Sequence, residues 1–552
     1  AIYNASAGEL NIGVNDGNVN NDNLVIRGQK YAIYNDEGSN NYGKNVNLYD
    51  GILYGKNDII HGTINNYEKG YDLYAENSDS YISAYLIENN KREVAQIGDT
   101  KYGSILDALN SIITNDETTI KVINDIYTVE QLIIPEDKNV ILDINGHTIK
   151  EFTNESYVLN KGTFKIKDST TVIGENNVIV PVGLLHGYSS NILKNTGNMN
   201  VENIELTTLI KGNIFLLNTG SGTANINSSL FYSTNHEYNK EYYNYIRGIQ
   251  NTENAILNLK DSKLEFNINF VDNNESVDVQ SIYNTSTGNV NIDNSIIKNT
   301  ITSTDGSSSS MYDIYSENGI VNIDNSELSN NYFASEEYKN SINNSFYSID
   351  IEKTGIVNVN NSSLINNSTD DSTEINVVKI NNDLGFADEI NNIKNNTINI
   401  ETSANVKTNT VKNITRVLNF STNNTINIDD NNIDMNYYSK SITDLYFILN
   451  NKSNIILENN SVTSNFVYKG ISNVSGSIEY NSGTLDGAID SKNYSDEKGN
   501  ITINGGTLNG KISTSSGNSV VINNGIFNND LDITINTLNV NGGIFNIPNK
   551  FS

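Results

Sequence analysis

The chain has 552 residues and carries 35 Lys and Arg against 65 Asp and Glu, which gives a formal net charge of −30 at pH 7. We expect no nucleic-acid partner and no membrane insertion, because a polyanion repels phosphate-rich surfaces and no segment is apolar enough to span a bilayer. Cysteine is absent, so neither disulfides nor thiolate metal sites stabilise the fold.

The first distinct element is an amphipathic helix near residues 104–114, inside a linker that covers 98–117. In "YGSILDALNSIITND" apolar residues recur at helical spacing, with Ser104 at the N-cap position and Asp107 at the third helical position. We expect this helix to cover the apolar end of the first coil that follows it. Binding of a partner to the helix is the alternative.

From residue 118 to residue 552 the chain repeats one phrase, for example "STGNVNIDNSIIKN", "ENGIVNIDNSELSN" and "KTGIVNVNNSSLIN". Apolar and polar residues alternate, as in Val290 and Ile292 on either side of Asn291, and a period of two predicts strands. Such a rung is too small to bury its own apolar face, so it must stack on the next rung at about 4.8 Å. The sequence therefore predicts an all-β fold, a right-handed parallel β-helix (β-solenoid), with the hand taken from the general preference of parallel crossovers.

Twelve copies align on an anchor, the last apolar residue of a strand, and the spacing falls from about thirty residues to coils of 18–19 residues at the C-terminal end. The anchors are Val201, Ile226, Leu259, Ile292, Ile323, Val359, Ile400, Ile428, Leu457, Ile503, Ile522 and Val540. Two positions later we expect a corner with positive φ, where Gly, Asn and Asp are favoured and where stacked Asn side chains bond along the axis. The corner residues are Asn203, Ser228, Asp261, Asn294, Asn325, Asn361, Thr402, Asp430, Asn459, Gly505, Asn524 and Gly542.

The loop "HEYNKEYYNYIRG", residues 236–248, is the most suggestive binding segment, because exposed tyrosines present amphipathic surfaces to sugars or proteins. The predicted ligand-binding residues are Tyr238, Tyr242, Tyr243, Tyr245 and Arg247. A second group contains Tyr437, Tyr438 and Tyr446. In the alternative interpretation these rings simply fold back over the wall of the solenoid.

Catalysis on this fold would require paired carboxylates beside a basic residue. The pairs Asp370–Asp371 and Asp429–Asp430 have no such neighbour in sequence, and Asp430 already stands in the corner column. We therefore expect no catalytic residue, no metal site and no cofactor. Calcium in the oxygen-rich segments 271–279, 368–374 and 429–436 is kept as an alternative, whereas the four histidines, His61, His147, His186 and His236, are too far apart in sequence for a metal site.

Residues 118–150 include "LIIPEDKNVILDINGHTIK", in which the phrase Asn-Gly-His-Thr-Ile at 145–149 follows the helix and two strand-like runs. This arrangement resembles the opening of pectate-lyase-like parallel β-helix modules in surface proteins of Gram-positive gut bacteria. Residues 1–97 resemble the C-terminal part of a preceding module, which leaves 118–552 as the main β-helix. Because the chain opens inside a strand pattern at Ala1, we expect a secretion signal and an anchor outside residues 1–552.

The resemblance implies an extracellular protein of a bacterial cell surface with a structural or adhesive function. A rigid rod would display loops to glycans or proteins of host or bacterial surfaces, or stack end to end with copies of itself into surface fibres. Two alternatives remain open: a polysaccharide lyase or glycoside hydrolase of the same fold, and a phage tail fibre or spike. Digestion of a polysaccharide panel and the mass in solution distinguish them.

Overall fold

The computed structural model forms two compact units, residues 1–265 and 266–552, and each consists almost entirely of short β-strands. It describes residues 1–4, 9–21, 24–35, 46–56, 58–77, 81–88, 91–153, 155–173, 179–208, 214–238, 245–270, 277–303, 309–334, 344–369, 373–382, 390–402, 413–437, 442–465, 468–491, 499–515, 518–533 and 537–546. The strand Lys263–Phe270 contains the boundary between the units.

The N-terminal unit begins with three small parallel stacks. They are Ile2–Asn4 with Ile33–Asn35 and Ile60–His61, Leu10–Ile12 with Val46–Leu48 and Asn66–Tyr67, and Val25–Arg27 with Ile52–Gly55. An antiparallel hairpin, Tyr71–Asn77 and Ile82–Glu88, then pairs with Ile52–Gly55 on one side and with the strand Ile126–Thr128 on the other. The hairpin therefore joins the first stacks to the coils that follow residue 118.

Those coils build three parallel sheets in the N-terminal unit, one strand of each per turn. Sheet 1 contains Thr118–Val122, Asn139–Asp143, Thr163–Lys167, Asn198–Glu202, Thr223–Asn227 and Ile256–Lys260, preceded by the antiparallel strands Ala95–Ile97 and Thr100–Tyr102. Sheet 2 contains Ile126–Thr128, Thr148–Glu151, Leu184–Gly187, Glu205–Thr208 and Leu230–Tyr238. Sheet 3 contains Leu132–Ile134, Val158–Asn160, Asn191–Asn195, Ile214–Asn218 and Tyr245–Asn251, and a separate antiparallel pair joins Thr171–Ile173 to Ile179–Pro181.

The predicted helix is present but short, Ile105–Asn110. Ser104 is its N-cap, since the Asp107 N–H donates to Ser104 Oγ at 2.9 Å. The helix ends before the predicted residue 114, because the Ser111 hydroxyl donates to the Ala108 carbonyl at its C-cap, which leaves Ile113 90% exposed. The helix packs against the first strands of sheets 1 and 3, Thr118–Val122 and Leu132–Ile134, as expected for a cap.

The C-terminal unit also contains three parallel sheets, which we number in the same way. Sheet 1 contains Val290–Asp293, Ile320–Asp324, Ile356–Asn360, Ile390–Lys394, Thr425–Asp429, Asn454–Glu458, Gly476–Tyr480, Gly499–Ile503, Ser519–Ile522 and Thr537–Val540. Sheet 2 contains Ile296–Ser303, Glu327–Ala334, Ser363–Ser368, Thr397–Thr402, Asn432–Tyr437, Asn460–Ser464, Gly483–Leu485, Thr507–Leu508, Ile526–Phe527 and Ile544–Phe545. Sheet 3 contains Val277–Asn284, Ser309–Ser316, Asn344–Glu352, Thr373–Asn382, Asn413–Thr422, Ile442–Asn450, Ile471–Asn473, Ile489–Ser491, Ile512–Thr514 and Leu531–Ile533.

The prediction of a parallel β-solenoid is confirmed by the register of these strands. Val290 pairs with Val321 and Ile292 with Ile323, and all four side chains are at most 2% exposed. The alternating pattern therefore stacks both side chains of each pair in a shared column of the core, and each coil buries its apolar face only against its neighbours.

The corners follow the prediction in most coils. Asn203, Ser228, Asp261, Asn294, Asn325, Asn361, Asp430 and Asn459 have φ between 46° and 55°. In the short coils the left-handed residue comes one position later than expected, at Gly506, Gly525 and Gly543 in place of Gly505, Asn524 and Gly542. Leu142, Ile166 and Tyr480 occupy anchor positions that the alignment missed.

One coil was aligned wrongly. Ile400 lies in sheet 2, and the anchor of its coil is Ile393, so the corner is Asn395 with φ 54° and not Thr402. The true strand, Ile390–Lys394, looks polar because Asn391 takes the inward position where other coils have Val. Its side chain is fully buried, and Asn391 Oδ1 accepts the Val357 N–H at 2.8 Å.

Polar ladders run along the axis beside the apolar columns. On the outer side of sheet 1 in the C-terminal unit, carboxamides of successive coils bond at 2.8 to 3.0 Å; they belong to Asn291, Asn322, Asn358, Asn392 and Asn427. In the N-terminal unit a fully buried ladder ends sheet 3; its members are Asn160, Asn195, Asn218 and Asn251. Each coil therefore satisfies the buried amides of the next, which explains the abundance of Asn.

Candidate functional site

The predicted tyrosine loop falls largely outside the described residues. Tyr242 and Tyr243 lie outside them, as do the side chains of Tyr238 and Tyr245, whose backbones belong to the strands Leu230–Tyr238 and Tyr245–Asn251. Arg247 lies in the second of these strands and is half-buried. This site therefore stays a prediction.

The second tyrosine group does not form one site. Tyr437 is 3% exposed and its hydroxyl donates to Thr415 Oγ1 at 2.6 Å, so this ring belongs to the core. Tyr446 is half-buried, with Lys469 Nζ 3.0 Å from its hydroxyl and 4.8 Å from its ring centroid. Tyr438 lies outside the described residues. Tyr437 therefore fits neither interpretation of this group, because its ring lies inside the solenoid and not over the outer wall.

The carboxylates and the histidine that were considered for catalysis or metal binding take part in ion pairs, corners and turns where the structure describes them. The Lys394 ammonium lies 2.8 Å from the Asp429 carboxylate, and Asp430 forms the corner. Asp370 and Asp371 lie outside the described residues. His147 follows the Asn145–Gly146 turn, with its Nδ1 3.4 Å from Asp125 Oδ1.

The described part of the chain contains no group of three or more His, Asp or Glu arranged to hold a metal ion. Among the same residues, no helix has both the length and the apolar character needed to cross a membrane.

The structure brings together a group of tyrosines that the sequence analysis missed, on the outer side of sheet 3 in the C-terminal unit. Tyr312 stacks on Tyr347 with ring centroids 4.7 Å apart, and Tyr283 stacks on Tyr315 at 5.6 Å. Tyr312 and Tyr315 meet edge to face at 5.7 Å, which joins the two stacks. We call this surface the tyrosine face; it consists of Tyr283, Tyr312, Tyr315 and Tyr347, all half-buried.

Ion pairs border the tyrosine face. Lys379 Nζ lies 3.1 Å from the Asp350 carboxylate, 2.7 Å from Glu352 and 5.5 Å from the centroid of the Tyr347 ring. Burial raises the pKa of Asp350 to about 7, although the Lys379 ammonium opposes this shift. Burial also raises the pKa of Tyr315 to about 12, so its hydroxyl remains a hydrogen-bond donor at neutral pH.

The tyrosine face is assembled by stacking, since its residues come from successive coils. Gln280, Tyr312 and Tyr347 are register partners, as are Tyr283, Tyr315 and Asp350. The sequence signal was the pair of similar strands "SSMYDIYS" and "NSFYSIDIE", in which Tyr312 and Tyr347 occupy equivalent positions. The two strands reveal the tyrosine pair only when they are known to be neighbours in the sheet.

The fold defines the protein as a parallel β-solenoid with a tyrosine-rich outer surface on its C-terminal unit. Comparison with protein-family models, with curated proteins and with solved structures gives no match.

Proposed function

We propose that this chain is an extracellular structural and adhesive protein of a bacterial surface, and that the tyrosine face is its contact surface for a protein partner. The observation that supports this proposal is the convergence of four tyrosines from three coils on one outer surface bordered by ion pairs. Tyrosine is enriched in protein interfaces because its ring gives large contact area at low entropic cost and its hydroxyl hydrogen-bonds.

The geometry favours a protein partner over a sugar at this surface. A pyranose stacks on a free aromatic face, but here each ring uses at least one face against a neighbouring ring, and Lys379 lies near the ring of Tyr347. Paired rings that carry hydroxyl groups suit the mixed apolar and hydrogen-bonding surface of a protein.

Binding to two arrays tests the proposal, one of purified extracellular and cell-surface proteins and one of glycans. We expect the chain to bind at least one protein, and the double variant Tyr315→Ser, Tyr347→Ser to bind it at least about tenfold more weakly, as for loss of interface hot spots. The control is Tyr232→Ser, which removes a half-buried tyrosine of the N-terminal unit whose hydroxyl donates to Glu205 at 2.8 Å. Equal binding by the parent and the double variant would contradict the proposal.

A polysaccharide-cleaving enzyme is the second candidate, because Lys379 places the carboxylates of Asp350 and Glu352 side by side. Against it, Asp350 is 2% exposed, which leaves little access for a substrate. Incubation with neutral and acidic polysaccharides, with and without calcium, followed by chromatography of the products, decides between the two. Shortened chains that disappear in Glu352→Gln would establish the enzyme.

A further inference from the structure

A groove of about 480 Å³ runs along the corner between sheets 1 and 2 of the C-terminal unit, across four successive coils. Each coil contributes an exposed corner residue and the first residue of a sheet 2 strand, and three of the four coils also contribute the buried serine between them. The corner residues are Asn294, Asn325, Asn361 and Asn395. We call this feature the corner groove.

The floor of the corner groove is held by buried hydrogen bonds between coils. The Ser295 N–H donates to Ser326 Oγ at 3.1 Å, the Ser326 N–H to Ser362 Oγ at 3.1 Å, and the Ser362 N–H to Asn396 Oδ1 at 2.9 Å. These contacts fix the spacing of the corners before any ligand arrives. The groove is therefore a preorganised surface.

One wall of the corner groove is a row of carboxamides. Asn395 Nδ2 donates to Asn361 Oδ1 at 2.6 Å, and Asn325 Nδ2 donates to Asp293 Oδ1 at 3.2 Å, which orders the row. A carboxamide has two N–H donors and an oxygen with two lone pairs, so the exposed row still presents donors and acceptors to solvent. Neighbouring corners follow the rung spacing of about 4.8 Å.

The other wall of the corner groove contains the first residues of the sheet 2 strands. Ile296 is 38% exposed and offers an apolar contact, and Ser363 and Thr397 add hydroxyl groups. Among the described residues that line the groove, Glu327 is the one ionisable side chain, so this lining has a carboxylate and no cationic side chain. An anionic polymer is therefore disfavoured, and so is a lipid, because the surface is mainly polar.

We infer that the corner groove binds a neutral polysaccharide that lies along the solenoid axis, with one sugar residue per coil. The rung spacing is close to the length that one pyranose adds to an extended chain, whereas an extended peptide advances by about 3.4 Å per residue and does not match it. Sugar hydroxyls bond to the carboxamide row, and the C–H face of a ring packs on Ile296. This site is separate from the tyrosine face and does not depend on the function proposed for it.

Titration with neutral oligosaccharides of two to eight residues, drawn from gluco-, manno- and xylo-series, tests the inference by calorimetry on the full chain. We expect at least one series to bind, with affinity that rises up to about four residues, the number of coils in the groove. Polygalacturonate should bind more weakly. Tighter binding of polygalacturonate, or no binding by any neutral series, would overturn the inference.

The variant Asn325→Gly, Asn361→Gly removes two adjacent carboxamides and keeps the left-handed corners, which Gly adopts without strain. We expect its affinity to fall by about tenfold or more, because two hydrogen-bonding side chains are lost together. Asn203→Gly makes the same change at a corner of the N-terminal unit and should leave affinity unchanged. Equal affinity of the double variant and the parent refutes the site, and the tyrosine variants, which should bind sugar normally, separate this result from a failure of the proposed function.

Discussion

The buried carboxamide ladder at the end of sheet 3 gives the sharpest prediction for stability. Asn218 is fully buried; its Nδ2 donates to Asn251 Oδ1 at 2.8 Å and to the Ile256 carbonyl at 2.9 Å, and its Oδ1 accepts from Asn195 at 2.8 Å. Asn218→Ala removes all three bonds. Each bond contributes about 1 kcal/mol and water cannot replace the buried side chain, so we expect a loss of about 3 to 5 kcal/mol.

The matched control is Asn225→Ala, in the next strand along the chain, Thr223–Asn227 of sheet 1, where Asn200, Asn225 and Asn258 form an outward ladder. Asn225 also bonds to the coils before and after it, at 2.9 and 2.7 Å, but it is half-buried and water can replace its partners. We expect a loss of less than about 1 kcal/mol. Thermal unfolding followed by circular dichroism should place the midpoint of Asn218→Ala about 5 to 9 °C below the parent, because a unit of 265 residues unfolds with an entropy of about 0.56 kcal/mol/K. Equal midpoints for the two variants would refute the reasoning that burial makes these amides indispensable.

A charge at the same position sharpens the test. Asn218→Asp keeps the shape but replaces two N–H donors with an acceptor that faces two other acceptors, Asn251 Oδ1 and the Ile256 carbonyl. Burial should raise the pKa of the new carboxyl in the folded state. The stability of this variant relative to the parent is then greatest below about pH 4. It falls as the pH rises, because the carboxyl ionises at a lower pH in the unfolded form than in the folded form.

Three further predictions concern single positions. Ser104→Ala removes the N-cap bond and should lower stability by about 1 kcal/mol in urea titrations, and an unchanged midpoint would contradict this prediction. Gly319 has φ 75°, and an added Cβ would lie 2.3 Å from a backbone oxygen of the preceding coil. Gly17 has φ 80° but open space around it. Gly319→Ala should therefore lower the unfolding midpoint far more than Gly17→Ala. Burial raises the pKa of Asp313 well above its ordinary value, so its contribution to stability is present below about pH 4 and is lost as the pH rises through the folded-state pKa. Asp313→Asn should flatten that part of the pH profile of the unfolding midpoint, and an unchanged profile would contradict it.

The local order of the chain was readable from the sequence because it depends on single coils. Alternation at Val290 and Ile292 fixes which side chains point inward, and Asn or Gly after the anchor fixes the corner, since few other residues tolerate positive φ. The N-cap at Ser104 was equally visible. The end of the helix and the polar strand around Asn391 were not, because a local hydroxyl bond and an inward amide override the apolar pattern there.

The tertiary structure alone decided which residues of different coils become neighbours. Tyr312 and Tyr347 are 35 positions apart, whereas Tyr283 and Tyr315 are 32 apart, so no fixed period in the sequence points to the tyrosine face. The corner groove likewise exists only when the corners of four coils stand side by side. The physical reason is that coil length varies with loops that the core does not constrain, while backbone hydrogen bonds between coils fix the register of the strands.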